Sequence, residues 1–126
     1  MPENFSLHKI GQIAVPVHDI KRAVDFYRDK LGMKFLFQFG NLAFFDCDGV
    51  RLLLDVPEDK AFDHPSSPIY FTVPDIQAAF KTLKERDVEI VAEPHLIAKM
   101  DTYDLWMAFF KDPDANVHAI MSEVRR

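Results

Sequence analysis

One local pattern occurs twice in this 126-residue chain. The stretches VHDIKRAVDF and VPDIQAAFKT align at an offset of 56 residues, which pairs Asp19 with Asp75. Each stretch overlaps the end of a short apolar, β-rich run, at residues 13–17 and 69–73, that is typical of a strand. An aspartate in the N-cap position and an apolar stripe at helical spacing come next. We therefore expect two copies of one strand–helix unit.

Three further strands are predicted after each helix, separated by turn residues such as Gly40-Asn41 and Asp48-Gly49. They are expected at residues 34–39, 42–47 and 50–55 in the first half, and at 89–92, 103–110 and 116–122 in the second. This order predicts an α+β fold, in which residues 10–56 and 68–123 are two βαβββ modules of a single domain, 1–126. The segment 57–67, rich in proline and charge, is interpreted as the linker. One module alone leaves a sheet face bare, so the other module or a second copy has to cover it.

Side chains alternate across a strand, which predicts the two faces of the hairpin at Asp48-Gly49. A two-residue turn places Phe45 opposite Leu52 and Asp46 opposite Arg51. The side facing the helix is then entirely apolar, with Ala43, Phe45, Cys47, Val50, Leu52 and Leu54. The other side is mixed and is expected to face a cavity, with Leu42, Phe44, Asp46, Arg51, Leu53 and Asp55.

The DPDA turn at residues 112–115 is predicted to close the last hairpin, with Phe110 opposite Val117 and Trp106 opposite Met121. This register puts Trp106 and Phe110 on the cavity side of the second sheet. His118 falls on the opposite side, where we expect it to be packed beneath the helix.

Charge and composition exclude several classes of protein. The chain has 20 Asp and Glu residues against 15 Lys and Arg, a net charge of −5. No basic cluster stands out, so nucleic acid is not an expected partner. No apolar stretch approaches the roughly 18 residues of a membrane span, and the first residues lack a secretory pattern, so no membrane partner is expected. A lone cysteine, Cys47, favours a reducing, cytoplasmic setting.

The segments QIAVPVHDIKRAVDFYRDKLGM and FFKDPDANVHAIM, together with the duplicated βαβββ order, resemble the vicinal oxygen chelate superfamily. That superfamily includes glyoxalase I, methylmalonyl-CoA epimerase, extradiol dioxygenases, fosfomycin-resistance enzymes and bleomycin-resistance proteins. The stretch EPHLIAKMDTYDLWMAFFKDPDAN is similar to a subgroup of short glyoxalase-like bacterial proteins. The resemblance covers essentially the whole chain and implies a curved mixed sheet, a concave cleft and a homodimer. It implies no single activity, because this superfamily hosts several chemistries and also pure binders.

The metal enzymes of this superfamily hold a divalent ion on the inward faces of the first, fourth, fifth and eighth strands. Counted by position, the resemblance assigns these four places to Gln12, Leu53, Pro68 and Ala119. Only the amide oxygen of Gln12 can ligate a metal, since leucine, proline and alanine side chains have no donor atom. We therefore expect no cofactor, and a divalent metal would need other ligands.

The resemblance also suggests a ligand site on the concave face. Its walls are predicted to be Phe44, Leu53, Tyr70, Trp106 and Phe110, and its polar points Gln12, Arg51 and His95. The alternative is that the aromatic residues of this set belong to the core, with Trp106 sealed inside it. Such a pocket suits a small, partly aromatic ligand with an acid or carbonyl group for Arg51. Arg51 could instead form a cross-strand ion pair with Asp46. His95, on a segment expected to flank the cavity, is the one candidate catalytic residue, as a general base or an anion-binding imidazole.

Three classes of function remain open at this point. The first is a metal-independent protein that binds a small aromatic or planar molecule in an apolar cleft. The second is a metal-dependent enzyme of glyoxalase or dioxygenase type with displaced ligands or ligands from another chain. The third is a metal-free protein that uses the cleft for general acid–base chemistry.

Overall fold

The computed structural model describes residues 5–126, and its elements follow the predicted order. The first module contains β1 (Gln12–Pro16), α1 (Ile20–Asp25) with a wider helical turn (Phe26–Lys30), β2 (Lys34–Phe39), β3 (Leu42–Cys47) and β4 (Val50–Asp55). The second contains β5 (Tyr70–Thr72), α2 (Ile76–Glu85), β6 (Glu89–Lys99), β7 (Tyr103–Lys111) and β8 (Val117–Arg125). None of the helices within this described range is long and apolar enough to cross a membrane.

Each module forms a four-stranded mixed sheet of the same topology. The strand orders are β1-β4-β3-β2 and β5-β8-β7-β6, with the first strand of each module parallel to the last. The registers also correspond, since Ala14 lies beside Leu53 and its counterpart Tyr70 lies beside Ala119. The α+β fold with two repeated modules is therefore confirmed.

Both helices begin at the predicted aspartates. The carboxylate of Asp19 accepts the Arg22 backbone N–H at 3.0 Å, and that of Asp75 accepts the Ala78 backbone N–H at 3.1 Å. Each bond satisfies one of the free donors of a first helical turn. Gly32, at a φ of 71°, adopts the left-handed conformation that reverses the chain after the first helix.

The first hairpin has the predicted register. Phe45 lies opposite Leu52 and Asp46 opposite Arg51, so the apolar side of the hairpin packs beneath the helix. Phe45 is fully buried, with its ring 6.2 Å from that of Tyr27 and 5.5 Å from that of Phe35. One hydrophobic core joins the inner faces of both modules.

The predicted register of the last hairpin is wrong by one residue. Phe110 lies opposite His118, not Val117, and Trp106 lies opposite Ser122, not Met121. The turn has five residues, 112–116, because Asp112 and Asn116 bond to each other across it and Ala115 takes a φ of 66°.

A buried hydrogen-bond network in this turn joins the two modules. The carboxylate of Asp112 accepts the Tyr27 hydroxyl at 2.7 Å, the Asn116 side-chain amide at 2.9 Å, and the backbone N–H groups of Asp114 and Asn116, both at 2.9 Å. Asn116 also donates to the backbone carbonyl of Pro16 at 2.8 Å. The turn therefore anchors β1 and the first helix to the second module.

His118 extends this network and is fully buried, as its predicted face requires. The backbone N–H of Ile69 donates to its Nδ1 at 3.2 Å, so the proton of the neutral ring belongs on Nε2, which lies 3.0 Å from the Tyr27 hydroxyl. Burial lowers the pKa of His118, which keeps the ring neutral. A chain of hydrogen bonds therefore runs from His118 Nε2, which donates to the Tyr27 hydroxyl, to the Asp112 carboxylate, which accepts from that hydroxyl.

The segment between the modules is partly structured. A short 3₁₀ turn, Lys60–Phe62, is capped by the Asp59 side chain. His18 lies 2.7 Å from Asp63, and this hydrogen bond raises the pKa of the imidazole. The backbone N–H of Ser66 donates to Asn116 at 2.9 Å. The segment is therefore tied to both modules.

Candidate functional site

We call the face of each sheet that is turned away from its helix the concave face, and that of the first sheet has a polar end. Gln12 and Arg51 are register partners on β1 and β4, and Asp46 lies next to Arg51 on β3. No ion pair joins Arg51 to Asp46 within residues 5–126, and the Asp46 carboxylate accepts the backbone N–H of Gly49 at 3.2 Å. Arg51 is exposed, so its guanidinium can receive an acidic group.

The middle of the same face is apolar. Leu53 lies between Ala14 and Phe44, as the alternation predicts. Phe37 on β2 stacks on Phe44, with ring centroids 4.6 Å apart and an interplanar angle of 27°. Sequence reasoning missed Phe37, although it lies across from Phe44 in the β2–β3 register.

The concave face of the second sheet carries a row of rings. Tyr70 and Phe109 flank Ala119 on neighbouring strands, and their rings meet at 6.1 Å in an edge-to-face arrangement. His95 lies next in the row, with its ring 6.3 Å from that of Phe109. Its Nδ1 lies 2.8 Å from the Glu93 carbonyl, which fixes the proton on Nδ1 and leaves Nε2 as an acceptor.

His95 is separate from the polar end of the first sheet. It lies on β6, the outer strand of the second sheet, whereas Tyr70 lies on β5 at the opposite edge. Three strand spacings of about 4.8 Å separate those two strands, or roughly 14 Å. Arg51 and Tyr70 line one pocket, and His95 does not belong to its lining, so His95 is separate from Arg51.

Trp106 and Phe110 are not walls of this face. The register of the last hairpin turns both side chains toward the helix side, where Phe110 is 2% exposed and Trp106 packs against the core. Phe109 takes the place on the concave face that sequence reasoning assigned to its neighbour. The predicted register left six residues between the paired positions Phe110 and Val117, whereas the turn has five. A shift of one residue in the register moves the side chains of a strand to the other face of the sheet.

A groove of about 620 Å³ opens where the linker meets the cleft. It is lined by Pro16 and Asp55 from the first sheet, by Phe62 and His64 from the linker, and by Tyr70. Sequence reasoning missed Phe62 and His64 because it treated residues 57–67 only as a connection. The groove gives the cleft a second polar end, on the side opposite Arg51.

The residues at the four family positions for a divalent metal do not fit one. Gln12 has the cation Arg51 as its register partner, and Leu53 is surrounded by apolar side chains. Ala119 is fully buried beneath Tyr70 and Phe109. Pro68 supplies no donor atom. Cys47 is no substitute, since burial raises the pKa of its thiol.

Known proteins share this architecture. A member of the glyoxalase/bleomycin resistance protein/dioxygenase superfamily from Sphaerobacter thermophilus DSM 20745 has a TM-score of 0.76 at 23% identity, over 93% of this chain and 98% of that one. A glyoxalase/bleomycin resistance protein/dioxygenase from Alicyclobacillus acidocaldarius has a TM-score of 0.73 at 20% identity, over 91% of each chain. A lactoylglutathione lyase from Agrobacterium tumefaciens has a TM-score of 0.72 at 20% identity, over 90% of this chain and 92% of that one. At such identities the likeness is one of fold.

The family match covers nearly the whole described chain. The model of the Glyoxalase/Bleomycin resistance protein/Dioxygenase superfamily matches residues 9–120, which include both modules and the buried turn between β7 and β8. The duplicated sheets and the concave rows of side chains agree with that match. The chain therefore belongs to the glyoxalase/bleomycin resistance protein/dioxygenase superfamily.

Proposed function

We propose that this protein binds a small, partly aromatic carboxylic acid on the concave face, without a divalent metal. The observation that carries the proposal is the exposed guanidinium of Arg51, free of an ion pair with Asp46, at the end of an apolar face. Phe44 and Leu53 supply the neighbouring apolar surface. A few polar groups among apolar walls are typical of small-molecule sites.

We favour binding over a metal-dependent glyoxalase- or dioxygenase-type reaction because of the donor chemistry. Three of the four positions that the family uses for a divalent metal hold Leu53, Pro68 and Ala119, whose side chains have no donor atom. We place this function in the cytoplasm, supported by the free thiol of Cys47.

Arg51→Ala should weaken the binding of an aromatic carboxylate by about 1.5–3 kcal/mol, the range for a hydrogen bond to a charged group. Isothermal titration calorimetry with 1-naphthoate measures the change, and 1-naphthamide, which is neutral, should bind both proteins equally. Arg125→Ala, at an exposed arginine near the end of β8, is the matched control. Equal naphthoate affinity in wild type and Arg51→Ala would contradict the proposal.

Added Ni²⁺, Zn²⁺ or Mn²⁺ should leave the melting temperature unchanged, because three of the four family positions hold no donor atom. A metal that binds only the folded state at 100 times its Kd adds about 2.7 kcal/mol of stability, so a tight site is easily detected. Elemental analysis of protein purified without chelator should likewise find much less than one metal per chain. One bound metal per chain, lost in Gln12→Ala, would reverse this conclusion and favour an enzyme.

We also propose a homodimer, supported by the apolar surface of β2. This strand is the outer strand of its sheet, and Leu36, Phe37 and Phe39 on it are 39%, 50% and 75% exposed. Exposed apolar groups on an edge strand are typical of an interface. Light scattering at micromolar concentration should give twice the chain mass, and Phe39→Lys should shift the protein toward monomer while Val124→Lys on β8 should not. A wild-type monomer would refute the dimer alone.

A further inference from the structure

A second cavity lies on the helix side of the second sheet, away from the concave face. Its volume is about 260 Å³. Its walls are apolar and come from both modules: Leu31, Phe71, Ala79, Leu83, Phe110 and Ile120. Phe71 and Ile120 alternate along their strands with Tyr70 and Ala119, so this cavity and the concave face are on opposite sides of the sheet.

Two basic residues, Lys30 and Arg86, belong to the lining of this cavity, and no acidic residue does. Nη1 of Arg86 donates to the backbone carbonyl of Lys30 at 3.0 Å and more weakly to that of Asp29 at 3.4 Å. This contact holds the guanidinium beside the cavity and leaves its Nη2 and Nε groups available. Both carboxylate oxygens of Asp29 bond to Arg28, at 2.9 and 3.0 Å, and no ion pair joins Arg86 to an acidic side chain within residues 5–126.

We propose that this cavity binds the apolar chain of a medium-chain carboxylic acid, with the carboxylate held by Arg86 and Lys30. A dry cavity of about 150 Å³ takes up benzene, so 260 Å³ corresponds by proportion to about ten carbon atoms. A guanidinium presents paired N–H donors that match a carboxylate. An uncharged hydrocarbon would leave this cationic edge unused.

Calorimetry with octanoate tests the proposal, and 1-octanol serves as the uncharged comparison. Wild-type protein should bind one octanoate per chain, more tightly than octanol. Ala79→Leu fills the cavity and should abolish binding, whereas Ala78→Leu, at the adjacent exposed position of the same helix, should not. Arg86→Gln should weaken octanoate about tenfold or more. Lys81→Gln, on the exposed side of α2, should leave the affinity unchanged.

Three results would overturn the proposal. The first is the absence of saturable octanoate binding at millimolar concentration. The second is equal binding in wild type, Ala79→Leu and Arg86→Gln. The third is binding that survives Ala79→Leu but is lost in Arg51→Ala, which would place octanoate on the concave face. Melting temperatures of all variants test whether each remains folded, which separates a loss of binding from a loss of structure.

Discussion

Asp112→Ala should destabilise the protein by about 3–5 kcal/mol, because it leaves several buried hydrogen-bond donors unpaired and each such donor costs about 1–3 kcal/mol. Asp112 is 4% exposed, and its carboxylate accepts hydrogen bonds from Tyr27, from the Asn116 side chain and from two backbone N–H groups. Alanine leaves these buried donors without an acceptor. Urea unfolding followed by circular dichroism measures the loss.

Two further variants serve as comparisons for Asp112→Ala. Asp112→Asn keeps one acceptor oxygen and should lose less stability than Asp112→Ala. Asp101→Ala, at an exposed residue before β7, should change the free energy of unfolding by less than about 0.5 kcal/mol. A loss below about 1 kcal/mol in Asp112→Ala would mean that the network contributes little to stability.

Phe45→Ala should cost about 3–5 kcal/mol, since it removes a large ring from a closely packed core. The ring is fully buried between those of Tyr27 and Phe35. These two rings cannot fill the space left by Phe45 without displacing the first helix and β2. Chemical denaturation gives the value, with the slope against denaturant expected to stay constant. Phe5→Ala is the control, because that ring is 73% exposed. If both variants lose the same small amount, the assigned core is wrong.

The parts of the fold that depend on neighbouring residues in the chain were predictable, and those that depend on distant contacts were not. The two-residue turn at Asp48-Gly49 determines which residues of β3 and β4 lie opposite each other. The two faces of this hairpin therefore followed from the alternation of side chains. The turn between β7 and β8 is determined by bonds from Asp112 to Asn116 and by contacts with the first module. Contacts with residues distant in the chain cannot be predicted from the local sequence. The predicted register was therefore wrong by one residue, which put Phe110 instead of Phe109 on the concave face.

The candidate site was predictable in the first sheet and less so in the second. Gln12, Arg51, Phe44 and Leu53 follow from one correct hairpin and one parallel strand. The groove residues Phe62 and His64 depend on how the linker folds back, which composition does not reveal. His95 was predicted only to flank the cavity. It lies within β6 because that strand runs over Glu89–Lys99 and is longer than the predicted 89–92.

The turn at residues 112–116 also limits how such a duplicated protein can evolve. Its acceptors and donors reach Pro16 and Tyr27 in the other half of the chain, so the halves are matched to each other and are not interchangeable copies. A chimera that took one module from a relative would have to bring along the groups that receive this turn. Gene duplication supplies two similar units, but because of this shared network a change in one unit has to be matched by a change in the other.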